Sequence, residues 1–165
     1  MDLFILRHGD AGKRSAAFRD DSKRPLTVDG KKEIEEISKG MLVLGIEPEY
    51  IFTSPLLRSK QTAEIVYNYL KSKNQITELD ELKPEGNKLQ LYKKFSTLKQ
   101  DSSVIIIGHE PFLSELVGDA ISGGGSRIDL KKGGLVRIRI ISLLPKIQGE
   151  LRWLLTPKHL KKMVK

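Results

Sequence analysis

The sequence predicts an α/β protein: a three-layer α/β/α sandwich with a mostly parallel central sheet and antiparallel C-terminal strands. Short apolar runs alternate along the chain with stretches of helical spacing, which is the pattern of strands joined by helices. The run 103–108 (SVIIIG) is apolar on both faces, as expected for a central strand covered by helices on each side. With 165 residues the chain is about the size of one domain, so we expect a single domain over 1–165.

The first part of the chain predicts two strands and two helices. The run 2–7 (DLFILR) is typical of a buried strand, and the polar stretch 10–25 predicts a long loop. This loop is either a segment that recognises the substrate or a solvated connection. Thr27 suits a helix N-cap, and apolar residues recur after it at helical spacing. A second strand, 50–54 (YIFTS), leads into a helix that is expected to begin at Pro55.

The remaining elements continue the alternation and end in an antiparallel pair. The expected segments are a strand around 76–82, a helix over 87–98, the strand 103–108, and a helix over 110–121 that stops at a glycine triplet. The runs 136–141 (VRIRII) and 149–156 (GELRWLLT) predict two antiparallel strands. Arginines alternate with apolar residues in the first of these strands, so one of its faces should meet solvent.

Composition excludes several classes of protein. The chain has no cysteine, and therefore no disulfide, thiolate metal site or cysteine nucleophile. Its three histidines make a histidine-rich metal site hard to build, and we expect neither a metal nor a cofactor. No apolar run approaches the ~18 residues of a membrane span. Because the start MDLFILRHG lacks the basic segment of a secretory signal, we expect a cytoplasmic protein with no membrane partner.

The charge balance favours an anionic partner. The chain has 29 Lys and Arg against 21 Asp and Glu, a formal net charge of +8. Such an excess attracts phosphate groups, acidic protein surfaces or nucleic acid. Nucleic-acid binders usually interleave basic residues with exposed aromatic residues, whereas aromatic residues here are 6% and mostly lie in apolar segments. Nucleic acid is therefore the least favoured of the three partners.

The candidate catalytic and binding residues cluster where three predicted strands end. Arg7 and His8 lie at the end of the first strand, and His109 lies at the end of the strand 103–108. Ser54 ends the second strand, and Arg58 lies one turn into the next helix. Ligands of open α/β sheets bind outside the carboxyl ends of the strands. We therefore expect two imidazoles and two guanidiniums to meet at one rim of the sheet.

Such a set of side chains suits a phosphoryl group. An arginine can hold two phosphoryl oxygens in a bidentate fork, and the N-terminus of the helix after Ser54 adds attraction for negative charge. A neutral imidazole can attack phosphorus and carry the phosphoryl group. A second imidazole, if protonated, can stabilise the equatorial oxygens as charge develops.

Each of these residues also has a purely structural interpretation. Arg7 and His8 could form a strand-end pair that bonds a loop, and His109 could cap the helix that follows it. Arg58 could form an ion pair with Glu64 or Asp21.

Three blocks of sequence carry a family resemblance: RHGDA at 7–11, SPLLR with QTA over 54–63, and GHEP at 108–111. Together with RPLT at 24–27 and WLLTP at 153–157, they resemble the histidine phosphatase (phosphoglycerate-mutase-like) superfamily, and within it the SixA-type phosphohistidine phosphatases. The resemblance runs in order from residue 2 to about 162. A lone RHG is common by chance, whereas all three blocks at these spacings are highly specific.

The resemblance implies roles for particular residues and a phosphoglycerate-mutase-like fold. His8 is implied as the nucleophile that accepts the phosphoryl group, and Arg7, Arg58 and His109 as the rest of the phosphate pocket. Arg24 and Ser54 are implied as substrate contacts.

The proton donor is the least distinct part of the resemblance. The candidate carboxylates, each of which also fits a solvated or helix-start residue, are Glu81, Glu85, Asp10 and Glu110, and we take Glu81 first. An imidazole that leaves phosphohistidine has a pKa near ~6.5 and needs less proton donation than an alkoxide. An indistinct acid is therefore compatible with a phosphohistidine substrate.

The length of the chain bears on the substrate. Only residues 59–108 separate Arg58 from His109, and nearly all belong to predicted helices and strands, which leaves no room for a large helical lid. Superfamily members that act on small metabolites often insert such a lid. We therefore expect an open site that admits a phosphorylated side chain of another protein, and the net charge of +8 favours an acidic partner.

The expected function is metal-independent hydrolysis of phosphohistidine on a signalling or phosphotransfer protein, through a covalent phosphohistidine on His8. One alternative is a small-molecule phosphomonoesterase of the same superfamily. The other is a non-catalytic module that binds phosphate or a phosphoprotein. The sequence leaves the oligomeric state open.

Overall fold

Residues 1–13 and 20–164, which the computed structural model describes, form a six-stranded sheet with helices on both faces. The strands are β1 (Asp2–Arg7), β2 (Tyr50–Thr53), β3 (Thr77–Glu78), β4 (Ser103–Gly108), β5 (Leu135–Ser142) and β6 (Gln148–Leu155). Their order across the sheet is β3-β2-β4-β1-β5-β6. The first four strands in this order are parallel, and β5 pairs antiparallel with β1 and β6. The predicted fold class is confirmed.

The described part of the chain has five α-helices, which divide between the two faces of the sheet. They are α1 (Val28–Val43), α2 (Leu57–Leu70), α3 (Lys88–Phe95), α4 (Phe112–Ser122) and α5 (Pro157–Lys162). Two short 3₁₀ helices lie at Asp21–Lys23 and Asp80–Leu82. The apolar side chains of α1, α2 and α5 cover one face, and those of α3 and α4 cover the other.

The two central strands, β1 and β4, are apolar on both faces. In β1, Leu3 and Ile5 are buried in the cluster with α3 and α4, whereas Phe4 and Leu6 are buried in the cluster with α1 and α2. Successive side chains of a strand point to opposite faces, so both faces must be covered. The pairing of β1 with β4 runs in register from Asp2–Ser103 to Arg7–Gly108, and both strands therefore end at the same rim.

The start of α1 is tied to the segment that follows β1. Thr27 is the N-cap, as predicted, and its side chain accepts a hydrogen bond from the N–H of Gly30 at 2.9 Å. The main-chain N–H of Thr27 donates to the carbonyl of Asp10 at 2.9 Å. Any Cβ on Gly30 would collide with that carbonyl group. Glycine at position 30 therefore allows α1 to approach the main chain of Asp10, shortly after the end of β1.

Two helices begin later than predicted, in each case because a turn follows the strand. The second helix begins at Leu57 instead of Pro55, because the Ser54 hydroxyl accepts the N–H of Leu56 at 3.3 Å in a turn. The fourth begins at Phe112 instead of residue 110, and the Glu110 carboxylate caps it by accepting the N–H of Ser114 at 3.1 Å.

Two other elements are shorter than predicted. The strand expected around 76–82 is limited to Thr77–Glu78, because β3 lies at the edge of the sheet and pairs with only Phe52 and Thr53 of β2. The helix expected over 87–98 ends at Phe95. Residues 14–19 of the long loop predicted over 10–25 lie outside the described residues. The prediction that this loop recognises substrate therefore falls partly on residues that the structure does not describe.

The described chain between Arg58 and His109 contains no large helical lid, as predicted. It consists of most of α2, then β3, the 3₁₀ helix Asp80–Leu82, α3 and β4. Buried Leu91 and Phe95 hold α3 against a face of the sheet. Among the residues that the structure describes, no helix is both long enough and apolar enough to cross a membrane.

Gly30→Ala is expected to lower the free energy of unfolding by about 1–3 kcal/mol, because the added methyl group forces α1 away from the Asp10 carbonyl. Alanine at an ordinary helix position would instead stabilise the helix by ~1 kcal/mol. Urea denaturation measures the difference. Lys39→Ala, at an exposed position of the same helix, is the control and should change stability by less than about 0.5 kcal/mol. A Gly30→Ala variant as stable as the control would show that the close approach of α1 to the Asp10 carbonyl does not contribute to stability.

Candidate active site

His8 lies one residue beyond β1, at the rim that β1 shares with β4. Its side chain is 6% exposed, and its main-chain N–H donates to the carbonyl of Gly108 at 3.1 Å. The ring Nδ1 lies 2.7 Å from the carbonyl oxygen of Gly9. Because a carbonyl oxygen only accepts, Nδ1 carries the ring proton and Nε2 carries the lone pair. The atom of His8 that can act as a nucleophile is therefore Nε2.

Arg58, the second residue of α2, contacts that nitrogen. Its side chain is buried, and its Nε lies 3.3 Å from Nε2 of His8. The two terminal nitrogens of the guanidinium contact Asp21: Nη1 donates to its main-chain carbonyl at 2.9 Å, and Nη2 lies 3.2 Å from its Oδ2. The Arg58 guanidinium thus contacts His8 and also forms the ion pair with Asp21 that was considered as its structural role.

Asp21 links two guanidiniums. Its Oδ1 accepts from Nε of Arg24 at 2.9 Å, while its Oδ2 faces Arg58. Arg24 also donates from Nη1 to the carbonyls of Ala11 and Gly12, at 3.1 and 2.8 Å. These contacts hold Arg24 over the segment that follows His8. The carboxylate of Asp21 thus occupies N–H donors of the Arg24 and Arg58 guanidiniums that a bound anion would also use.

His109 lies one residue beyond β4, beside His8. Its side chain is 2% exposed, and the centroids of the two imidazole rings are 4.9 Å apart. Its Nε2 lies 2.9 Å from the hydroxyl of Ser54 and 3.2 Å from the hydroxyl of Ser59. Its Nδ1 is buried and has no hydrogen-bond partner among the residues that the structure describes.

Arg7 is held by the loop that precedes β5. Its Nη1 donates to the carbonyl of Leu130 at 2.8 Å, and its main-chain carbonyl accepts the N–H of Gly133 at 3.0 Å. Its Nε is buried, and no hydrogen-bond partner for it lies in the described ranges. Lys132 of the same loop pairs with Asp10 at 2.6 Å. The structure therefore brings Arg7 and Lys132 to the same rim as the two imidazoles.

Burial keeps both imidazoles neutral at pH 7. Burial lowers the pKa of His8 from 6.5 to about 4, opposed by the bond to Gly9 and assisted by the charges of Arg58 and Arg7. Burial also lowers the pKa of His109 to about 2, with smaller contributions from His8 and Arg58. The Nε2 lone pair of neutral His8 accepts a hydrogen bond from Nε of Arg58. His109 is neutral here, whereas its role as a stabiliser of the phosphoryl oxygens was expected of a protonated ring.

Glu81, the first candidate for the proton donor, lies on the 3₁₀ helix before α3. One of its carboxylate oxygens pairs with Lys94 at 3.0 Å, and the other is buried without a hydrogen-bond partner in the described chain. Among the described residues, no hydrogen bond or ion pair connects this carboxylate to either imidazole. Asp10 pairs with Lys132, and Glu110 caps α4. The role of an acid at Glu81 stays a prediction.

This fold and rim define the class of protein. The family model of the histidine phosphatase superfamily (branch 1) matches residues 3–85, and the chain belongs to this superfamily. It is therefore a phosphatase of the histidine phosphatase type.

Two similar proteins and one solved structure match most of the chain. Phosphohistidine phosphatase SixA of Escherichia coli K12 is 31% identical over 163 residues, which are 98% of this chain and 97% of SixA. An uncharacterized protein of Picosynechococcus sp. is 35% identical over 145 residues, 84% of this chain and 85% of that protein. A solved structure of the protein histidine phosphatase SixA complexed with tungstate matches with a TM-score of 0.85 and 29% identity, covering 98% of this chain and 100% of that one. The predicted resemblance to SixA-type phosphatases is confirmed.

Two residues of the rim were not predicted as site residues. Asp21 was expected only as an ion-pair partner of Arg58, and no role was predicted for Ser59. The signal for Ser59 was available, because it is a serine directly beside Arg58 inside a predicted helix, where serine is a weak helix former. Its contact with His109 joins residues 50 positions apart, and only the folded chain shows it.

Asp21→Asn is expected to increase the affinity for inorganic phosphate about three- to tenfold, because the anion no longer competes with a carboxylate for Arg24 and Arg58. Isothermal titration calorimetry measures the change. Asp20→Asn, at an exposed neighbouring position, is the control and should bind phosphate like the wild type. Weaker binding in Asp21→Asn would show instead that the carboxylate is needed to hold the guanidiniums in place.

The free energy of unfolding is expected to fall by about 3 kcal/mol or more as pH drops from 6.5 to 4, measured by urea denaturation at several pH values. The unfolded chain binds protons on these histidines near pH 6.5, whereas folded His8 stays neutral until about pH 4 and His109 until lower pH. Acid therefore favours the unfolded chain. The double variant His8→Gln, His109→Gln should lose much of this pH dependence, and exposed His159→Gln should retain it. Equal slopes in the double variant and the wild type would contradict the prediction.

Proposed function

We propose that this chain hydrolyses phosphohistidine on a protein, through a phosphohistidine intermediate on its own His8 and without a metal or cofactor. The observation that carries the proposal is the state of the His8 ring. Its proton is engaged by the Gly9 carbonyl, its pKa is about 4, and its Nε2 lone pair lies beside the Arg58 guanidinium. A buried imidazole that is neutral at pH 7 and has a defined tautomer can act as a nucleophile.

In the first step, the Nε2 lone pair of His8 attacks phosphorus. The bond between phosphorus and the substrate imidazole breaks, and the leaving nitrogen takes the electron pair of that bond. A proton from solvent on the other ring nitrogen lets the group leave as a neutral imidazole. Arg58, Arg7 and Arg24 supply N–H donors for the phosphoryl oxygens, where negative charge develops. Because the pKa of an imidazole is near ~6.5, solvent can supply that proton near neutral pH, and the ring departs with little help from an acid of the enzyme. This step therefore does not depend on Glu81.

In the second step, water attacks phosphorus and the bond to Nε2 of His8 breaks. The ring recovers its lone pair, inorganic phosphate leaves, and the proton of the attacking water passes to phosphate or solvent. The absence of a large helical lid between Arg58 and His109 in the described chain supports access of water to the intermediate. A mutase would have to exclude that water.

Three observations support a protein as the substrate. The described residues between Arg58 and His109 form no lid that would enclose a small metabolite. The net charge of +8 favours an acidic partner, such as a phosphotransfer domain. The similarity to SixA, a phosphohistidine phosphatase by name, extends over nearly the whole of both chains.

Phosphate release by the wild type and by His8→Ala, with EDTA present, tests this proposal. Both proteins are offered a phosphotransfer domain that bears phosphohistidine, and a generic aryl phosphate. The wild type should clear the phosphohistidine much faster than the ester, and His8→Ala should lose at least about 10³-fold in rate because the nucleophile is absent. His159→Ala, which changes an exposed histidine, is the matched control and should remain active.

Each other outcome favours a different function. If only the aryl ester turns over, and His8→Ala is inactive, the chain is a small-molecule phosphomonoesterase with the same nucleophile. If neither compound is hydrolysed, the chain is a module that binds phosphate or a phosphoprotein. Loss of activity in EDTA that added metal restores would contradict a metal-independent reaction.

A further inference from the structure

Two serine hydroxyls contact one nitrogen of the His109 ring. Ser54 directly follows β2, Ser59 is the third residue of α2, and the side chains of both are fully buried. Their hydroxyl oxygens lie 2.9 and 3.2 Å from Nε2 of His109. A neutral imidazole nitrogen has either one proton or one lone pair, so it cannot use two hydroxyl groups in the same way. The two serines must therefore have different roles.

Ser54 is suited to donate to the ring. Its oxygen already accepts the main-chain N–H of Leu56 at 3.3 Å, which leaves its own proton for Nε2 of His109 at the shorter distance. A donated bond at Nε2 places the ring proton on Nδ1. That nitrogen is buried, and no partner for it lies among the described residues, so its N–H is available to a phosphoryl oxygen.

Ser59 is suited to accept from the ring. Apart from Nε2 of His109, the structure gives its hydroxyl oxygen no hydrogen-bond partner within the described ranges. When the ring takes a second proton, Nε2 becomes a donor and needs an acceptor. The Ser59 oxygen is in place to accept that bond at 3.2 Å, with neither lone pair engaged by another described residue, whereas Leu56 already engages one of the two lone pairs of the Ser54 oxygen.

The charges around His109 determine when this second proton can bind. The ring is faced by His8 after β1, by Arg58 on α2, and by Arg7 and Arg24, all of which oppose a positive charge on it. A phosphoryl group bound at the same rim supplies negative charge that opposes this effect. The charged ring is therefore a feature of the reacting complex, in which its Nδ1–H meets the phosphoryl oxygens.

We infer that Ser59 is a positioning residue for the reaction: it accepts the Nε2–H of His109 when that ring becomes an imidazolium against the phosphoryl group. This inference rests on the proposed function. A serine in the interior of a helix is a weaker helix former than alanine. A merely structural Ser59 would therefore be replaced by alanine at little cost to the reaction.

The test combines kinetics with nitrogen-15 NMR of labelled histidine, in the wild type and in Ser59→Ala. The NMR spectra report the protonation of His109 with saturating inorganic phosphate and without it, and the phosphotransfer domain that bears phosphohistidine is the kinetic substrate. With phosphate bound, Ser59→Ala should need a tenfold higher proton concentration to charge His109. Its kcat should fall about tenfold with KM nearly unchanged, because the bond forms only with the charged ring.

Ser38→Ala is the matched control. Ser38 is also a fully buried serine inside a helix, but its hydroxyl donates to the Ile34 carbonyl of its own helix, α1, at 2.7 Å. This variant should keep the wild-type kcat and the wild-type titration of His109. Without phosphate, Ser54→Ala should move the ring proton from Nδ1 to Nε2, and Ser59→Ala should not.

The readouts separate failure of this inference from failure of the proposed function. The NMR titration with inorganic phosphate needs no turnover, so a wild type that fails to hydrolyse phosphohistidine can still show the predicted difference at His109. If His109 titrates identically in wild type and Ser59→Ala with phosphate bound, the inference is overturned, whatever the substrate. A tenfold loss of kcat that Ser38→Ala shares would overturn it as well.

Discussion

The parallel pairing of β1 with β4 is the constraint on which the rest of the site depends. The two strands run in register to Arg7–Gly108, and the N–H of His8 extends the ladder by bonding the Gly108 carbonyl. The residues that follow the two strands, His8 and His109, therefore meet with their rings 4.9 Å apart. A slip of one residue would turn the apolar side chains of β1 to the opposite faces of the sheet. The two apolar clusters that hold the helices thus also hold the imidazoles together.

The electrostatics of the rim follow from burial among cations. Two guanidiniums, those of Arg58 and Arg7, and Lys132 surround a ring whose burial already disfavours its charged form, so the groups that attract a phosphoryl group also keep His8 neutral. Asp21 offsets part of this positive charge by binding Arg24 and Arg58. The result is a neutral nucleophile inside a cationic site, which is the combination that attack on an anionic phosphorus compound requires.

The elements that the sequence predicted well are those with strong local signals. The strand SVIIIG, the Thr27 cap and the glycine stop after α4 all lie where they were predicted. The errors lie where a tertiary contact competes with the local pattern. The edge strand β3 ends after two residues because only two residues of β2 pair with it. The start of α2 moves to Leu57 because the Ser54 hydroxyl closes a turn first.

The sequence by itself determined which chemical groups the rim contains, because a side chain that directly follows a parallel strand must lie at the carboxyl end of the sheet. On that basis Arg7, His8, Ser54 and His109 could be placed at one rim without coordinates. Only the tertiary structure decided how those groups bond. Asp21 binds Arg58 across 37 positions and Ser59 meets His109 across 50, and these contacts depend on how helix and loop pack against the sheet. Packing also decided that both imidazoles are neutral, because burial depends on neighbours that are distant in the chain.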